Sequence, residues 1–305
     1  MAIERAASSD KKDSFPKRVV VLGARGFVGT ALVGALAAAA VPVRAVSSSE
    51  VDLTAEGASA HLASLLEPGD AVVVNSAITP DKGRGRERAV FALNLKMGEN
   101  LAEVFATSGG LLSQVIYISS DAVFSEDLPP IGEATPPTPG DLYGAMHHSR
   151  ELLLSSVLTG SGVPFLRLRP CAIYGVGDTH GSYGPNRFLR SALSEGKIVL
   201  FGQGEERRPH LPMSDFLAIL LASLRRRLDG TLHAIPGESP SFFEVAEMIA
   251  TRLGGGVRIE FLERSSAVAP KHKWYDASGL ATRLPEVAPL SLAEGMDRFV
   301  REGRT

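Results

Sequence analysis

Tyr143 and His147 stand four positions apart in a segment of helical periodicity, so the two side chains share one helix face. A tyrosine can exchange protons near neutral pH only if its pKa falls from about 10, and a nearby cation has that effect. Ser119, Ser120 and Asp121 directly follow a predicted strand, where a hydroxyl can hydrogen-bond a substrate oxygen. Together these residue types indicate acid–base chemistry at an oxygen atom.

A second group of residues lies near the N-terminus, where three glycines recur at every third position. Residues 19–22 before them predict a buried parallel strand, and residues 30–40 after them predict a buried helix. Strand, glycine turn and helix form the context of a dinucleotide-binding loop, because glycines let the backbone approach a pyrophosphate and the helix N-terminus attracts it. The expected cofactor-binding residues of this loop are Gly23, Arg25, Gly26, Phe27, Val28 and Gly29.

Apolar strands alternate with helix-like segments through the first half of the chain. This alternation predicts an α/β fold with a doubly wound parallel sheet and helices on both faces. Ligands of such sheets bind outside the carboxyl ends of the strands, so we expect the loops after Leu22, Asn75 and Ile118 to meet. The further predicted strands are residues 43–46, 71–75, 114–118 and 164–168, and the further predicted helices are residues 88–107 and 142–158.

Beyond Pro170 the alternation gives way to loops that contain glycine and proline, with helices predicted at residues 187–196, 214–224 and 241–253. A chain of 305 residues has room for one large domain or two smaller ones. We expect a flexible tail over residues 1–16. We predict a dinucleotide-binding domain formed by residues 17–170 and about 211–234. A smaller substrate-binding lobe is predicted to contain about residues 171–210 and 235–305.

Composition narrows the function classes, since 44% of the residues are hydrophobic and 22% are charged, an ordinary globular balance. A net charge of −2 provides no basic field for nucleic acid. The single cysteine, Cys171, excludes an intrachain disulfide, argues against a cysteine-based zinc site and fits a reducing compartment. No signal peptide is visible, so we expect a cytoplasmic protein. Residues 26–43 are uncharged, but Pro42 and the glycines favour turn, helix and strand over a membrane span.

The ordered motifs resemble those of the extended short-chain dehydrogenases/reductases of the NAD-dependent epimerase/dehydratase type, which act mostly on nucleotide sugars. The resemblance runs from Arg18 to about Val300 and implies a Rossmann sheet with a smaller C-terminal lobe. It implies that Ser120 is the catalytic hydroxyl and Tyr143 the residue that transfers a proton. It further implies cofactor contacts at Ala77, Asn94, Tyr143 and His147.

The second half of the chain carries further matches. Residues 169–177 resemble the segment that follows the sixth strand of the family, and residues 201–208 resemble its loop for the nucleotide diphosphate. There Arg208 takes the place of an arginine that contacts phosphate or ribose. The resemblance implies substrate binding by Asp121, Asn186, Arg187 and Arg208.

His147 is the main departure, because the family pattern is Tyr-x-x-x-Lys and its lysine lowers the tyrosine pKa and binds the nicotinamide ribose. Histidine is mostly uncharged at neutral pH. Three interpretations stay open: His147 partly replaces lysine; the enzyme is active with altered acid–base roles, carried by Asp121 or by Tyr143 with help from the substrate; or the protein binds its ligands and barely turns over. Under the first, His147→Lys raises turnover at neutral pH.

The predicted second strand, residues 43–46, bears on cofactor choice. NAD sites place an acid after this strand, whereas here serines follow it, and Arg44, Ser47 and Arg25 suit the 2′-phosphate of NADP. Glu50 keeps NAD as the alternative. Asp52 and Leu53 resemble the segment beside the adenine.

These features predict an NAD(P)-dependent nucleotide-sugar oxidoreductase or epimerase that moves a hydride at a sugar carbon, C4, with Tyr143 as acid/base. An NADPH-dependent 4-keto-sugar-nucleotide reductase and a binding protein with little turnover are the alternatives. The two halves of the chain favour different branches, since residues 120–124 resemble the reductases and the loop at Arg208 resembles the epimerases and dehydratases. We expect no metal, nucleic acid or membrane partner, and a homodimer formed through residues 88–107 and 142–158.

Overall fold

The computed structural model describes residues 14–79, 87–126, 130–178, 184–264 and 269–304. The predicted tail over residues 1–16 lies outside the described residues except for its last three. The strands are β1 Arg18–Leu22, β2 Val43–Val46, β3 Asp70–Val74, β4 Gln114–Ile118, β5 Phe165–Pro170, β6 Ala172–Tyr174, β7 Lys197–Phe201, β8 His210–Pro212, β9 Gly230–Ala234 and β10 Arg258–Leu262. The helices are α1 Phe27–Ala38, α2 Ala58–Leu65, α3 Glu87–Ser108, α4 Leu142–Leu158, α5 Gly184–Glu195, α6 Met213–Arg226, α7 Phe242–Arg252, α8 Ser278–Arg283 and α9 Leu292–Glu302.

The main sheet has six strands in the order β2-β1-β3-β4-β5-β9. Neighbouring strands from β2 to β5 are parallel, with Val20 opposite Arg44 on one side and Val72 on the other. Strands β3 and β4 are buried along their whole length, which explains their continuous apolar sequence. The strand order reverses direction between β1 and β3, the switch point of a doubly wound sheet. The structure therefore confirms the predicted α/β fold.

Most elements of the first half match their predicted positions, and β2, β4 and α4 match residue for residue. Helix α1 begins at Phe27 instead of residue 30, because Gly26 is its N-cap and the last glycine already lies inside the helix. Helix α2 was not predicted, since its eight residues are too short to repeat a helical pattern.

The expectation of irregular loops after Pro170 is wrong for the segments that form β6 to β10. Strands β6 and β8 have three residues each and pair with one another, so neither contains a recognisable apolar run. Strand β10 pairs in parallel with β7, and its half-buried and exposed residues include a charged Arg258 and Glu260. Helices α8 and α9 also went unpredicted, although Ser291 starts α9 with a capping box to Glu294.

The described chain divides into two compact units. The first contains residues up to 124 together with residues 136–169 and 217–232, and the second contains residues 125–135, 170–216 and 233 onward. The second unit thus takes residues 125–135, which the predicted division assigned to the dinucleotide-binding domain. The role of each unit stays a prediction.

One face of the main sheet forms the core of the first unit with helices α3 and α4. Alternate strand residues, such as Val72 and Tyr117, pack with Leu101 of α3 and Leu154 of α4. Gly98 of α3 lets the helices approach, since a Cβ there would lie 3.1 Å from the side chains of Arg150 and Leu153. Helix α4, which carries Tyr143 and His147, is therefore fixed against both the sheet and α3.

The second unit has its own core. Phe188 and Leu189 of α5 pack with Ile198 of β7, Ile249 of α7 and Met296 of α9. Helix α7 begins at a capping box in which Ser241 and Glu244 satisfy each other's backbone N–H groups. Among the residues that the structure describes, no helix is long and apolar enough to cross a membrane.

Candidate active site

The glycine turn after β1 is close-packed at two of its three glycines. Gly23 adopts φ +82°, a left-handed conformation that glycine tolerates, and a Cβ there would lie 2.9 Å from the Ser76 nitrogen. A Cβ on Gly29 would lie 2.1 Å from the Gly23 carbonyl oxygen. The turn and the first turn of α1 therefore require glycine at both positions.

The N-terminus of α1 can hold an anion. Gly26 is the N-cap in an extended conformation, and no side chain of the described residues caps the helix there. The free N–H groups and the positive end of the helix dipole lie at Phe27, Val28 and Gly29. A pyrophosphate fits this glycine-lined turn because the backbone can approach it without a Cβ in between. Dinucleotide binding by this turn stays a prediction.

The ends of β1 and β3 meet as predicted. The Asn75 backbone N–H donates to the Leu22 carbonyl oxygen (3.0 Å), and the Asn75 side-chain amide lies 3.4 Å from the Gly23 carbonyl oxygen. Strand β4 lies next to β3 in the sheet, so the loop that starts at Ser119 leaves from the same edge. Three loops therefore converge at the carboxyl edge of the sheet.

The loop after β3 is fastened to the two helices beneath it. The fully buried Asn94 of α3 accepts from the Ile78 N–H (3.0 Å) and donates to the Ile78 carbonyl oxygen (2.8 Å). Arg150 of α4 donates from Nη1 to the Ser76 carbonyl oxygen (2.8 Å). Ala77 stands exposed between these two anchored residues. Asn94 thus positions the loop, and a cofactor contact at Ala77 stays a prediction.

Two charged groups predicted to select the cofactor bind each other instead of standing free. Arg44 of β2 forms an ion pair with Glu50. Arg25 of the glycine turn is exposed, and its Nη1 lies 3.5 Å from the Ser49 hydroxyl. The Ser49 hydroxyl in turn lies 2.8 Å from that of Ser47. An arginine and two serine hydroxyls therefore gather after β2, while the charge of Arg44 is compensated.

The predicted adenine segment forms a turn. The exposed Asp52 carboxylate accepts from the Thr54 N–H (2.9 Å) and hydroxyl (2.7 Å), and these hydrogen bonds hold its pKa below the usual range. Leu53 is buried, and its carbonyl oxygen accepts from the Asn100 amide of α3 (2.8 Å). The side chain of Asp52 therefore faces solvent, whereas Leu53 anchors the segment.

Ser120 lies at the start of a 3₁₀ turn, Asp121–Val123, that follows β4. Its hydroxyl oxygen accepts from the Ala122 N–H (3.1 Å) and lies 3.5 Å from the Asp121 carboxylate. Helix α4 starts against this turn, because a Cβ on Gly144 would lie 2.0 Å from the Ala122 carbonyl oxygen. The Asp141 side chain caps α4 by accepting from the Gly144 N–H (2.8 Å). This packing brings the residue next to Gly144, Tyr143, to the turn that Ser120 caps.

The Tyr143 and His147 rings are in edge-to-face contact, with centroids 4.7 Å apart. His147 is buried, and its Nδ1 lies 2.8 Å from the Tyr117 hydroxyl of β4. Burial, reinforced by the positive charge of Arg150, lowers the pKa of His147 to about 3. Burial likewise raises the pKa of Tyr117 to about 12. At neutral pH His147 is therefore an uncharged ring that buttresses Tyr143, and it supplies no positive charge to it.

Two buried arginines and one carboxylate lie around α4. Arg169 of β5 donates to both Glu151 carboxylate oxygens, from Nε (2.8 Å) and Nη2 (2.6 Å). Burial raises the pKa of Glu151, but the bonds to Arg169 and its charge outweigh burial and hold the pKa below the usual range. Arg150, fully buried, forms no ion pair with a carboxylate of the described residues.

The predicted substrate residues of the second unit all have protein partners. Asn186 of α5 accepts from the Gly175 N–H (3.1 Å) and donates to Asp178 (2.8 Å). The Arg187 guanidinium lies 5.8 Å from the centre of the Phe201 ring. Asn186 therefore anchors the loop after β6 rather than standing free.

Arg208 forms an ion pair with Glu126, which also binds Lys271 (3.1 Å). Burial opposes ionisation of Glu126, yet the bonds and charges of Arg208 and Lys271 hold its pKa below the usual range. Arg208 is thus held in place by a carboxylate, and a direct contact with substrate stays a prediction.

Arg150 and Tyr117 are the site-region residues that sequence reasoning missed. Arg150 follows Tyr143 by seven positions and His147 by three, which is the spacing of one helix face. That signal was available, but an arginine at such a spacing is ordinarily exposed. Tyr117 gave no signal beyond its place in an apolar strand.

Comparison with known proteins extends these observations. No curated protein matches the chain significantly. Among solved structures, the dTDP-4-dehydrorhamnose reductase of Bacillus anthracis in complex with NADP is 22% identical, with a TM-score of 0.76 over 94% of this chain and 99% of that chain. The NAD-bound dTDP-glucose 4,6-dehydratase of Streptomyces venezuelae is 22% identical (TM-score 0.79, 94% and 97% covered). The NAD complex of UDP-glucose 4-epimerase from Thermus thermophilus is 20% identical (TM-score 0.80, 94% and 99% covered).

At these identities the solved structures show a shared Rossmann-type fold. A family model gives the more specific result, because it matches residues 19–233, which include the glycine turn, the Ser120 turn and α4. The chain therefore belongs to the NAD-dependent epimerase/dehydratase family.

Proposed function

We propose that the protein is an NAD(P)-dependent nucleotide-sugar oxidoreductase that works at C4 of the sugar. The observation that carries the proposal is the contact of Gly144 with the Ala122 carbonyl, which brings Tyr143 to the turn capped by Ser120. The Tyr143 phenol and the Ser120 hydroxyl, the groups proposed to handle the sugar oxygen, belong to the same unit as the glycine turn proposed for the pyrophosphate.

The nicotinamide dinucleotide, when bound, donates or accepts the hydride. Its pyrophosphate would be held by the backbone N–H groups at the start of α1, and its nicotinamide half by the loop that presents Ala77. Asn94 and Arg150 hold this loop from below through the Ile78 and Ser76 backbone groups. The chain therefore offers a preorganised edge for the cofactor.

Tyr143 exchanges the proton at the sugar oxygen. When the 4-keto sugar is reduced, the Tyr143 phenol gives a proton to the carbonyl oxygen as the carbonyl carbon gains the hydride. When the sugar alcohol is oxidised, the Tyr143 phenolate takes the hydroxyl proton as the hydride leaves the carbon. The Ser120 oxygen accepts from the Ala122 N–H, and its O–H, which donates a long 3.5 Å bond to the Asp121 carboxylate, would turn toward the sugar oxygen when substrate binds. His147 buttresses the Tyr143 ring as a neutral group.

NADP is the proposed cofactor. Arg25 and the hydroxyls of Ser47 and Ser49 gather after β2, and these groups suit a 2′-phosphate. Arg44 and Glu50 form an ion pair with each other, so neither is free to bind the cofactor. Glu50 then no longer argues for NAD by binding the ribose hydroxyl, and Arg44 no longer argues for NADP by binding the 2′-phosphate. Arg25 and Ser47 therefore carry the preference.

We assign cofactor binding to the first unit and substrate binding to the second. In the second unit Arg208 is oriented by Glu126, and together with Arg187 it would contact the diphosphate of a nucleotide sugar. The proposed homodimer is supported by Leu93 of α3 and Leu152 of α4, which leave 42% and 58% of their surface exposed. A cytoplasmic location remains part of the proposal.

A binding protein with little turnover is the second candidate. The neutral state of His147 favours it, since the group that occupies the lysine position supplies no charge to Tyr143.

Two measurements test the proposal. Mass spectrometry of the dinucleotide released on denaturation identifies a retained cofactor, and NADPH oxidation with 4-keto-sugar nucleotides then reports turnover. Partial NADP or no retained dinucleotide, together with NADPH oxidation, is the expected result and favours a reductase. Stoichiometric NAD contradicts the NADP assignment and favours an epimerase or dehydratase. Ligand binding without any turnover supports the second candidate.

A further inference from the structure

Arg150 is a fully buried arginine that forms no ion pair with any carboxylate in the described part of the chain. It lies on α4 one turn beyond His147, and among the described residues Glu151 is committed to Arg169 instead. Its Nε and Nη2 also have no hydrogen-bond partner among the described protein atoms. Burying a cation without a counterion costs stability, so an arginine retained in this place points to a use for its charge.

The guanidinium is connected to Tyr143 through two aromatic residues. Its central carbon lies 5.1 Å from the centre of the Tyr117 ring. The Tyr117 hydroxyl lies 2.8 Å from His147 Nδ1, and the His147 ring contacts Tyr143 edge to face. Arg150 also donates to the Ser76 carbonyl oxygen and thereby fixes the loop that presents Ala77. The buried side chain therefore contacts the cofactor loop directly and is linked to Tyr143 through Tyr117 and His147.

The charged groups packed directly against this side chain compensate one another, which leaves the charge of Arg150 itself. On α4, His148 Nδ1 lies 3.6 Å from Glu151, and Glu151 is compensated by Arg169 of β5. Tyr117 of β4 and His147 are neutral at pH 7. Asp121, in the turn that Ser120 caps, is the remaining acidic group of the site.

We propose that Arg150 is a positioning residue that supplies the fixed positive charge of the Tyr143 site, in place of the lysine that His147 replaces. This inference rests on the proposed function for the role of Tyr143. The effect of the Arg150 charge on the pKa of Tyr143 can, however, be measured without turnover. A cation in the protein interior acts over a longer range than one in water, so a guanidinium below Tyr117 stabilises a Tyr143 phenolate.

The test compares Arg150→Gln, which keeps an amide donor for the Ser76 carbonyl and removes the charge, with Arg150→Lys, which keeps the charge. Tyr143 is titrated in the cofactor-free protein by ultraviolet difference spectroscopy, with Tyr143→Phe subtracted in each background. Tyr117 does not interfere, because burial raises its pKa to about 12. We expect the midpoint of the Tyr143 titration to rise by about one pH unit in Arg150→Gln. In Arg150→Lys the midpoint should stay near the wild-type value.

The double variant Arg150→Gln/His147→Lys restores a cation at the other position and is expected to bring the midpoint back down. An unchanged midpoint in folded Arg150→Gln overturns the inference, since a purely structural arginine would affect stability and not the titration. Should Arg150→Gln fail to fold, Arg150→Met, which removes the charge and keeps an unbranched side chain, is titrated in the same way. A rise of the Tyr143 titration midpoint supports the inference, and an unchanged midpoint overturns it.

The two proposals fail separately. If the midpoint responds to Arg150 but no 4-keto-sugar nucleotide is reduced, the proposed function fails and the charge assignment stands. If the wild-type protein turns over and its midpoint ignores Arg150, the charge assignment fails and the proposed function stands.

Discussion

Gly29→Ala is expected to weaken cofactor binding at least about 100-fold while leaving the overall fold intact. The new Cβ would lie 2.1 Å from the Gly23 carbonyl oxygen and 2.8 Å from the Ala24 Cα, and ordinary van der Waals contact begins only at 3.4 Å. The glycine turn and the start of α1 must therefore separate by about 1.3 Å. Both neighbours are backbone atoms of the turn itself, so no flexible side chain can absorb the clash.

A displacement of that size breaks hydrogen bonds between the backbone and a phosphate, because a normal donor–acceptor distance of about 2.9 Å grows beyond bonding range. A hydrogen bond to a charged group contributes about 1.5–3 kcal/mol, so losing two weakens binding by about 3–6 kcal/mol. The dissociation constant of the dinucleotide should rise at least about 100-fold.

Gly34→Ala is the matched control. It lies on the same helix, and a Cβ there meets no atom within 4 Å, so the substitution should gain helix propensity and bind cofactor normally. Isothermal titration calorimetry with NADPH and NADH compares the two variants with the wild type. Wild-type affinity in a folded Gly29→Ala protein would refute the assignment of this turn to the pyrophosphate.

Other predictions concern specificity, alignment and stability. Ser47→Asp introduces an acid where a 2′-phosphate would bind, so the ratio of NADPH to NADH affinity should fall at least about tenfold, and an unchanged ratio contradicts the NADP assignment. Gly144→Ala forces α4 away from the Ala122 carbonyl and should lower turnover about 100-fold with little change in cofactor affinity, whereas equal losses in both would point to global damage. Glu151→Gln leaves Arg169 buried beside a neutral partner and should lower the free energy of unfolding in urea by about 3–5 kcal/mol at pH 7. Because the folded-state pKa of Glu151 is lowered, its contribution is present above about pH 4.3 and is lost as the pH falls through the folded pKa. The wild-type advantage over Glu151→Gln should therefore shrink in acid, and an advantage that grows in acid would contradict this assignment.

The first half of the fold could be predicted because its signals are local and repeated. Buried strands such as β4 are mostly apolar runs, and α4 begins at a capping aspartate and repeats its leucines at helical spacing. The glycine spacing predicted a turn whose backbone can approach a pyrophosphate, and the structure adds a second reason for glycine at Gly23 and Gly29, the close contact with neighbouring backbone atoms. The second half contains strands of three residues and a half-exposed pair, β7 and β10, so pattern reasoning mistook them for loops.

The electrostatics of the candidate site could not be predicted from the sequence. The spacing of Tyr143 and His147 predicted their contact, but the pKa of His147 depends on burial and on Arg150, which only the packing of α3 against α4 reveals. The ion pair of Arg44 with Glu50 likewise converts two candidate ligands into partners. Residue type and spacing thus indicate the chemistry, while tertiary contacts decide the charge of each group.

The central claim is that Tyr143 exchanges the proton during hydride transfer at C4 of a nucleotide sugar. Its most direct test is the transfer of deuterium from NADPH labelled at the nicotinamide C4 to a 4-keto-sugar nucleotide, measured for the wild type and Tyr143→Phe. We predict label at C4 of the sugar with the wild type, and transfer slowed about 100-fold or more in Tyr143→Phe with dinucleotide binding retained. Equal rates of transfer in the two proteins, or label at another carbon, would contradict the account.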